Sequence, residues 1–393
     1  MISTSSIISP KRHNCRGSMA RHYIRCAGGF SLIELMIAIV LGLLVLAGLI
    51  NLFVASNKAL QIQSGNNYLQ ENLRIASDRI SYSLRMADFW GGNEAANVGG
   101  GGASANTCNL AWATAINGSS PGAGAVFGYD GTATFGSGTI PLGATACIGG
   151  TANYVPGSDV LVVRYAYPQM LSPGPAVAGV TPAESTSISG YPKETFLLAT
   201  SDGTAQLFLG NAVPSPNGSA FPRYVFPFQV DMYYLRPCSV MANGATCAAT
   251  DDGGIPLPTL MRAHLQSDGT FVSSEVVDGI EQLKFEYGVT ADPANVLPVW
   301  STAAGVGSQW SNVVAVRVSV VSVSPTRDVT VPHASTYTLG TKNACTYVIN
   351  INAAATTTGC PNFTPYGDKP WQFVRTSQQF IAQVRNRVRS AGQ

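Results

Sequence analysis

Gly28-Gly29-Phe30-Ser31-Leu32-Ile33-Glu34-Leu35 opens a run in which Glu34 is the only charge before Lys58. The 23 residues from Leu35 to Asn57 carry no charge and are mostly Leu, Ile, Val and Ala. At about 1.5 Å per residue this is enough to cross roughly 30 Å of hydrocarbon, so the stretch reads as a membrane helix. A carboxylate in such a setting costs about 2.5 to 3.5 kcal/mol on insertion scales, which marks Glu34 as a functional position.

Upstream lie Lys11, Arg12, Arg16, Arg21 and Arg25 with no acid. A leader of +5 in a chain of net +2 leaves −3 for everything after Gly29. Basic residues before the apolar run put the N-terminus in the cytoplasm and the body in the periplasm. The acidic body offers only a local basic cluster, Arg385, Arg387 and Arg389, so no nucleic-acid partner is expected.

A cleaved secretory signal places its small-residue site after the apolar stretch, whereas Gly28-Gly29 precedes it here. An ordinary signal anchor has no use for an acid five residues after a glycine. The order basic leader, Gly29, Phe30, then Ser31-Leu32-Ile33-Glu34-Leu35 closely resembles the class III signal of type IV prepilins. That resemblance implies cleavage after Gly29 by the prepilin peptidase, Phe30 as the N-methylated new first residue, and Glu34 as the fifth-position glutamate. In pilin-like assemblies this glutamate is thought to pair with the first-residue amine of a neighbouring subunit. A blander role is stabilisation of the positive end of its own helix, worth about 0.3 to 1 kcal/mol. A start at Met19 is expected, giving a leader of 11 residues and leaving the part after Gly29 unchanged.

The helical pattern continues beyond the membrane run, with Leu69, Leu73, Ala76, Ile80 and Leu84 at spacings that share one face. Arg74, Asp78, Arg79 and Arg85 supply the polar side, so this half is amphipathic and docked on a domain. Gly65-Asn66-Asn67 is a point where the helix is expected to weaken or bend. The segment from Asn66 to Arg74 resembles the PilW family of minor pilins, and so does Val277 to Val289. The likeness covers about 60 residues after the junction well and the C-terminal third loosely.

The expected organisation is a leader (1–29), a transmembrane N-terminal helix (30–57), its amphipathic continuation (58–90), a Gly-rich loop region (91–157) and a periplasmic β-rich domain (158–393). The fold class is α+β and pilin-like, a long helix packed on an antiparallel sheet. Strands are predicted at Val160 to Tyr165, Phe196 to Ala199, Gln206 to Leu209, Phe226 to Leu235, Phe271 to Val277, Leu283 to Tyr287 and Val313 to Val323. Alternation from Val314 to Val320 reads as a half-buried strand, and Phe373 to Val388 suits either helix or strand. With only 11% charged residues against a usual share of about 25%, the surface is covered by Ser, Thr, Asn and Gly.

Of eight cysteines, Cys15 and Cys26 fall in the leader, leaving Cys108, Cys147, Cys238, Cys247, Cys345 and Cys360. An even number in an exported chain reads as disulfides, with 15 connectivities open. Proximity favours Cys238 with Cys247, Cys345 with Cys360, and by remainder Cys108 with Cys147. No CxxC pair or zinc-like spacing to His264 or His333 occurs, so no metal or other cofactor is expected. No GxSxG or HExxH appears, and Asp251-Asp252-Gly253-Gly254 lacks the closing Glu of a calcium loop because Arg262 stands there. No enzyme is expected.

The resemblance implies a minor pilin in the initiation or tip complex of a type IV pilus, supporting pilus biogenesis, twitching motility and adhesion. Implied partners are other minor pilins, the major pilin, the prepilin peptidase, the inner membrane and a tip adhesin. The implied location is the inner membrane in a single pass, then the pilus at the cell surface. The alternatives are a J-type minor pseudopilin of type II secretion, an exported enzyme or binding protein on a pilin-like anchor, and a role in DNA uptake.

Overall fold

The computed structural model of the chain describes residues 30–100, 116, 123–131, 147–155, 157–168, 195–200, 205–209, 223–265, 271–293, 296–329, 331–342, 344–353, 355–358 and 366–390. It divides into two compact units, Met1–Leu60 and Gln61–Gln393. Helix α1, Leu32–Met86, supplies the described part of the first unit and enters the second at Gln61. The first-unit residues of α1 are exposed almost throughout, as an apolar run outside a core must be.

α1 runs unbroken through Gly65-Asn66-Asn67. A glycine penalty of about 1 kcal/mol is small beside the burial that follows it. Leu69, Leu73, Ala76, Ile80 and Leu84 are all buried, and the last four of these enter the main core. The helix stops at Met86, and the next turn is made by Asp88, in a left-handed conformation at φ 64°, followed by Gly91 and Gly92 with positive φ.

Around this stripe the described residues of the second unit form three sheets. The largest has the order β1-β5-β4-β6-β3-β2, with β7 paired to β6 and β8 to β7. Its strands are β1 (Val98–Gly100), β2 (Val126–Tyr129), β3 (Val160–Ala166), β4 (Thr195–Thr200), β5 (Ala205–Leu209), β6 (Arg223–Arg236), β7 (Thr259–Leu265) and β8 (Phe271–Asp278). All its ladders are antiparallel except the short parallel pair β1 with β5. β6 hands over from β4 to β3 at Pro227, the residue that has no N–H to give a ladder.

The second sheet has the order β10-β9-β11-β15, made of β9 (Ile280–Val289), β10 (Val299–Ser301), β11 (Val313–Arg327) and β15 (Phe373–Gln383). Gly279 joins β8 to β9 at φ 65°, where an added Cβ would sit 2.8 Å from the Tyr68 hydroxyl, so α1 approaches too closely for any other residue. The third sheet, β12-β13-β14, is formed by Ser335–Leu339, Cys345–Ile349 and Thr356–Thr358. Among the described residues, short helices also form at α2 (Ala303–Val306) and α3 (Arg385–Ser390).

Three expectations are corrected. The region 91–157 is not all loop, since β1 and β2 lie in it and Phe127 packs against Trp310 at 4.9 Å between ring centroids. β11 is not half-buried but buried on both faces. Val316, Val318 and Val320 face the main core, while Val321 packs against Leu339, Tyr347 and Ile349 of the third sheet, which a period-two reading of one strand cannot reveal. The ambiguous C-terminal segment resolves into β15 followed by α3.

Candidate functional site: the head of the first helix

The first helical hydrogen bond runs from the Leu35 amide to the Ser31 carbonyl at 3.0 Å, which makes Ser31 the capping residue. Glu34 then falls in the first turn, three residues after the cap, the spacing of a capping box and the end where a carboxylate meets the positive pole of the helix. Phe30 precedes the cap and is 84% exposed, and Leu32, Ile33, Leu35 and Met36 around Glu34 are exposed as well. α1 is long and apolar enough to cross a membrane. A lone acid ringed by apolar side chains is poor in partners of its own and suited to a cation brought by another chain. Gly29, the other half of the junction, lies outside the described residues.

The second unit contains acid clusters that sequence reading missed, because their members are far apart in the chain. Asp231 on β6 accepts from Arg262 at 2.7 Å and from His264 Nδ1 at 2.8 Å, both on β7. The same carboxylate accepts from Ser83 on α1 and from Tyr165 on β3, each at 3.1 Å. Burial would raise the Asp231 carboxyl, but the hydrogen bond from His264 and the charge and hydrogen bond of Arg262 outweigh it and hold the carboxyl below its usual range. Ser, His and Asp therefore meet, yet the serine bonds the aspartate directly and not the imidazole. Nucleophilic catalysis needs the base between the other two. The arrangement is a star that ties α1 to β3, β6 and β7.

Glu281 on β9 and Arg375 on β15 form a bidentate pair at 2.5 and 2.9 Å, both 1% exposed. Glu281 also accepts the Tyr366 amide at 2.6 Å. Asp159 accepts from Lys284 Nζ at 3.0 Å and from the amides of Phe285 and Gly131. Burial nonetheless pushes its carboxyl up to about 6, against which the Lys284 charge pulls down.

Cys238 and Cys247 are joined, as proximity suggested. Cys147 and Cys345 are also disulfide-bonded, and Cys108 and Cys360, their expected partners, lie outside the described residues. The joined loop has a carboxylate core. Asp252, at φ 51°, accepts the amides of Ser239, Val240 and Leu257 at 2.8 Å, and Asp251 accepts those of Ala242 and Ala248. Asp251-Asp252 thus forms a turn in which Asp251 is buried. Cys238, Cys247 and Asp251 come within metal-ligating reach of one another, but thiols joined in a disulfide present no thiolate.

Comparison with known proteins bears on both ends of the chain. Residues 24–50 match the prokaryotic N-terminal methylation motif, and residues 245–386 match the family described as Type IV Pilus-assembly protein W. The two matches cover the N-terminal signal and part of the β domain; the chain is similar to type IV pilus proteins at both ends, which supports a type IV pilus-related minor pilin. No curated protein matches the chain, and no solved structure matches it. The matched families are structural pilus components rather than enzymes, and a prepilin signal ahead of an apolar helix fits a single-pass inner-membrane anchor and a pilus subunit.

Proposed function

We propose that this chain is a minor pilin that takes part in type IV pilus assembly, in the initiation or tip complex, and so supports pilus biogenesis, twitching motility and adhesion. The observation that carries the reading is Glu34 in the first turn of a long exposed apolar helix, five residues after a glycine, inside a matched methylation motif. Its mechanism is assembly. Cleavage after Gly29 by the prepilin peptidase leaves the helix in the membrane and frees an amine at Phe30. That amine lacks an acid until subunits pack, when Glu34 of a neighbour accepts it and the burial of both charges is offset. The orientation follows from the basic leader, with N-terminus in the cytoplasm and body in the periplasm. Its partners are other minor pilins and the major pilin, with a tip adhesin beyond them.

Glu34→Ala tests the mechanism. An unpaired amine in an apolar interior costs several kcal/mol, so the variant is expected to be processed and retained in the membrane yet to lose fibre incorporation by at least about tenfold. Incorporation at the natural level contradicts it.

A further inference from the structure

The first two sheets share the main core, and the chain runs directly from one to the other through Gly279. The third does neither. It is a meander contiguous in sequence, and among the described residues no strand ladder joins it to either neighbour and none of its side chains enters the main core. It rests on one face of the second sheet. Cross-strand partners in an antiparallel ladder share a face, and that face recurs at every second residue. Arg317, Ser319 and Val321 on β11 therefore lie on one face with their partners Glu286, Lys284 and Gln282 on β9. Val321 is the only apolar member of the six, and it meets Leu339, Cys345, Tyr347 and Ile349 of the third sheet in a cluster of five buried residues.

Gln282, directly across the ladder from Val321, is 1% exposed, yet neither its Oε1 nor its Nε2 has a hydrogen-bond partner. An amide buried without partners forfeits its hydration and recovers it in any state that water can reach. The polar contacts that do form gather at the turn after β12. Glu286 accepts the amides of Thr341 and Lys342, the first at 2.5 Å, and Arg317 donates to the Thr341 hydroxyl at 2.5 Å. The Gly340 amide reaches the Ser319 hydroxyl at 3.4 Å. Away from that turn, the Tyr347 hydroxyl approaches Glu281 only to 3.4 Å, and the Glu281 carboxylate is already engaged by Arg375.

From this arrangement we infer that the third sheet is a lid on the second. It parts from β9 and β11 as one unit along the polar seam, with the Glu286 contacts as its latch, and admits water to Gln282 while the main core stays closed. Opening breaks no ladder. It gives up one small apolar contact, Val321 against four residues, and hydrates an amide that the closed state leaves unpaired. Contiguous supersecondary units with few apolar contacts are the parts of a fold that open below the cost of global unfolding. The inference does not rest on the assembly reading, since a chain that fails to enter fibres still carries the lid.

Native-state hydrogen exchange on the full chain in detergent micelles, disulfides intact, tests this. Two central strands are compared: Thr346, Tyr347 and Val348 on β13, between β12 and β14, and Val316, Val318 and Val320 on β11, between β9 and β15. The β13 amides are expected to exchange at least about a hundredfold faster than those of β11, and with weak dependence on denaturant because lid opening exposes little surface. Gln282→Leu removes the unpaired amide and is expected to slow β13 exchange by about tenfold, whereas Glu286→Gln weakens the latch and is expected to speed it by about tenfold. If either variant fails to fold, the exchange of the unsubstituted chain decides. β13 amides that exchange as slowly as those of β11, or with the same steep dependence on denaturant, overturn the inference. So does β13 exchange that ignores either substitution in a folded chain.

Discussion

Glu281 and Glu34 are both carboxylates set among apolar groups, but their partners differ in kind. Glu281 has Arg375 inside the same chain, and the pair is sealed at 1% exposure. Removing one member of a buried pair leaves the other uncompensated, so Glu281→Ala is expected to cost about 3 to 5 kcal/mol in denaturant unfolding, and a loss under about 1 kcal/mol would show the pair to be solvated. Asp159 sets a pH dependence. Its carboxyl is raised from 3.8 to about 6 by burial, so the folded chain holds this proton more tightly than the unfolded one. The stability it contributes is complete below the unfolded value and is lost as pH rises through about 6. Asp159→Asn is expected to flatten the fall in stability between about pH 4 and 6, measured as the denaturation midpoint, and an unchanged slope would assign that fall to another group.

At the scale of elements, the sequence disclosed those whose signal is local. The stripe from Leu69 to Leu84 predicts a buried face from spacing alone, and every member is buried. Ile80, fully buried, is accordingly expected to cost about 2 to 5 kcal/mol on replacement by Ala, with the apolar part of α1 still membrane-bound. A cost below about 1 kcal/mol would mean that the second half of α1 is not docked. All seven predicted strands are present, but β1, β2, β7, β10, β12, β13 and β14 were missed, and β15 was left open between helix and strand. In β12 the residues alternate Ser, Thr, Tyr, Thr, Leu, and burial comes from the third sheet lying on Val321, a contact between distant parts of the chain. β7 holds Arg262 and His264 at positions whose inward partner, Asp231, lies about 30 residues earlier. Polar residues that look like a loop in sequence become strand residues when a buried acid supplies their partner.

For the molecule as a whole, the junction was legible because a membrane makes few charges affordable and so isolates the one that matters. The β domain was legible in class but not in arrangement, since register among the fifteen described strands depends on which edges meet. The proposed pairing of Glu34 with a new N-terminus follows from chemistry created by cleavage. It requires that the mature chain begin where the signal says. Mass analysis of the N-terminus of the chain taken from fibre-bearing cells is the most direct test. N-methylated Phe30 as the first residue is the result predicted, and a chain that retains Gly29 or begins at any other residue would contradict the account.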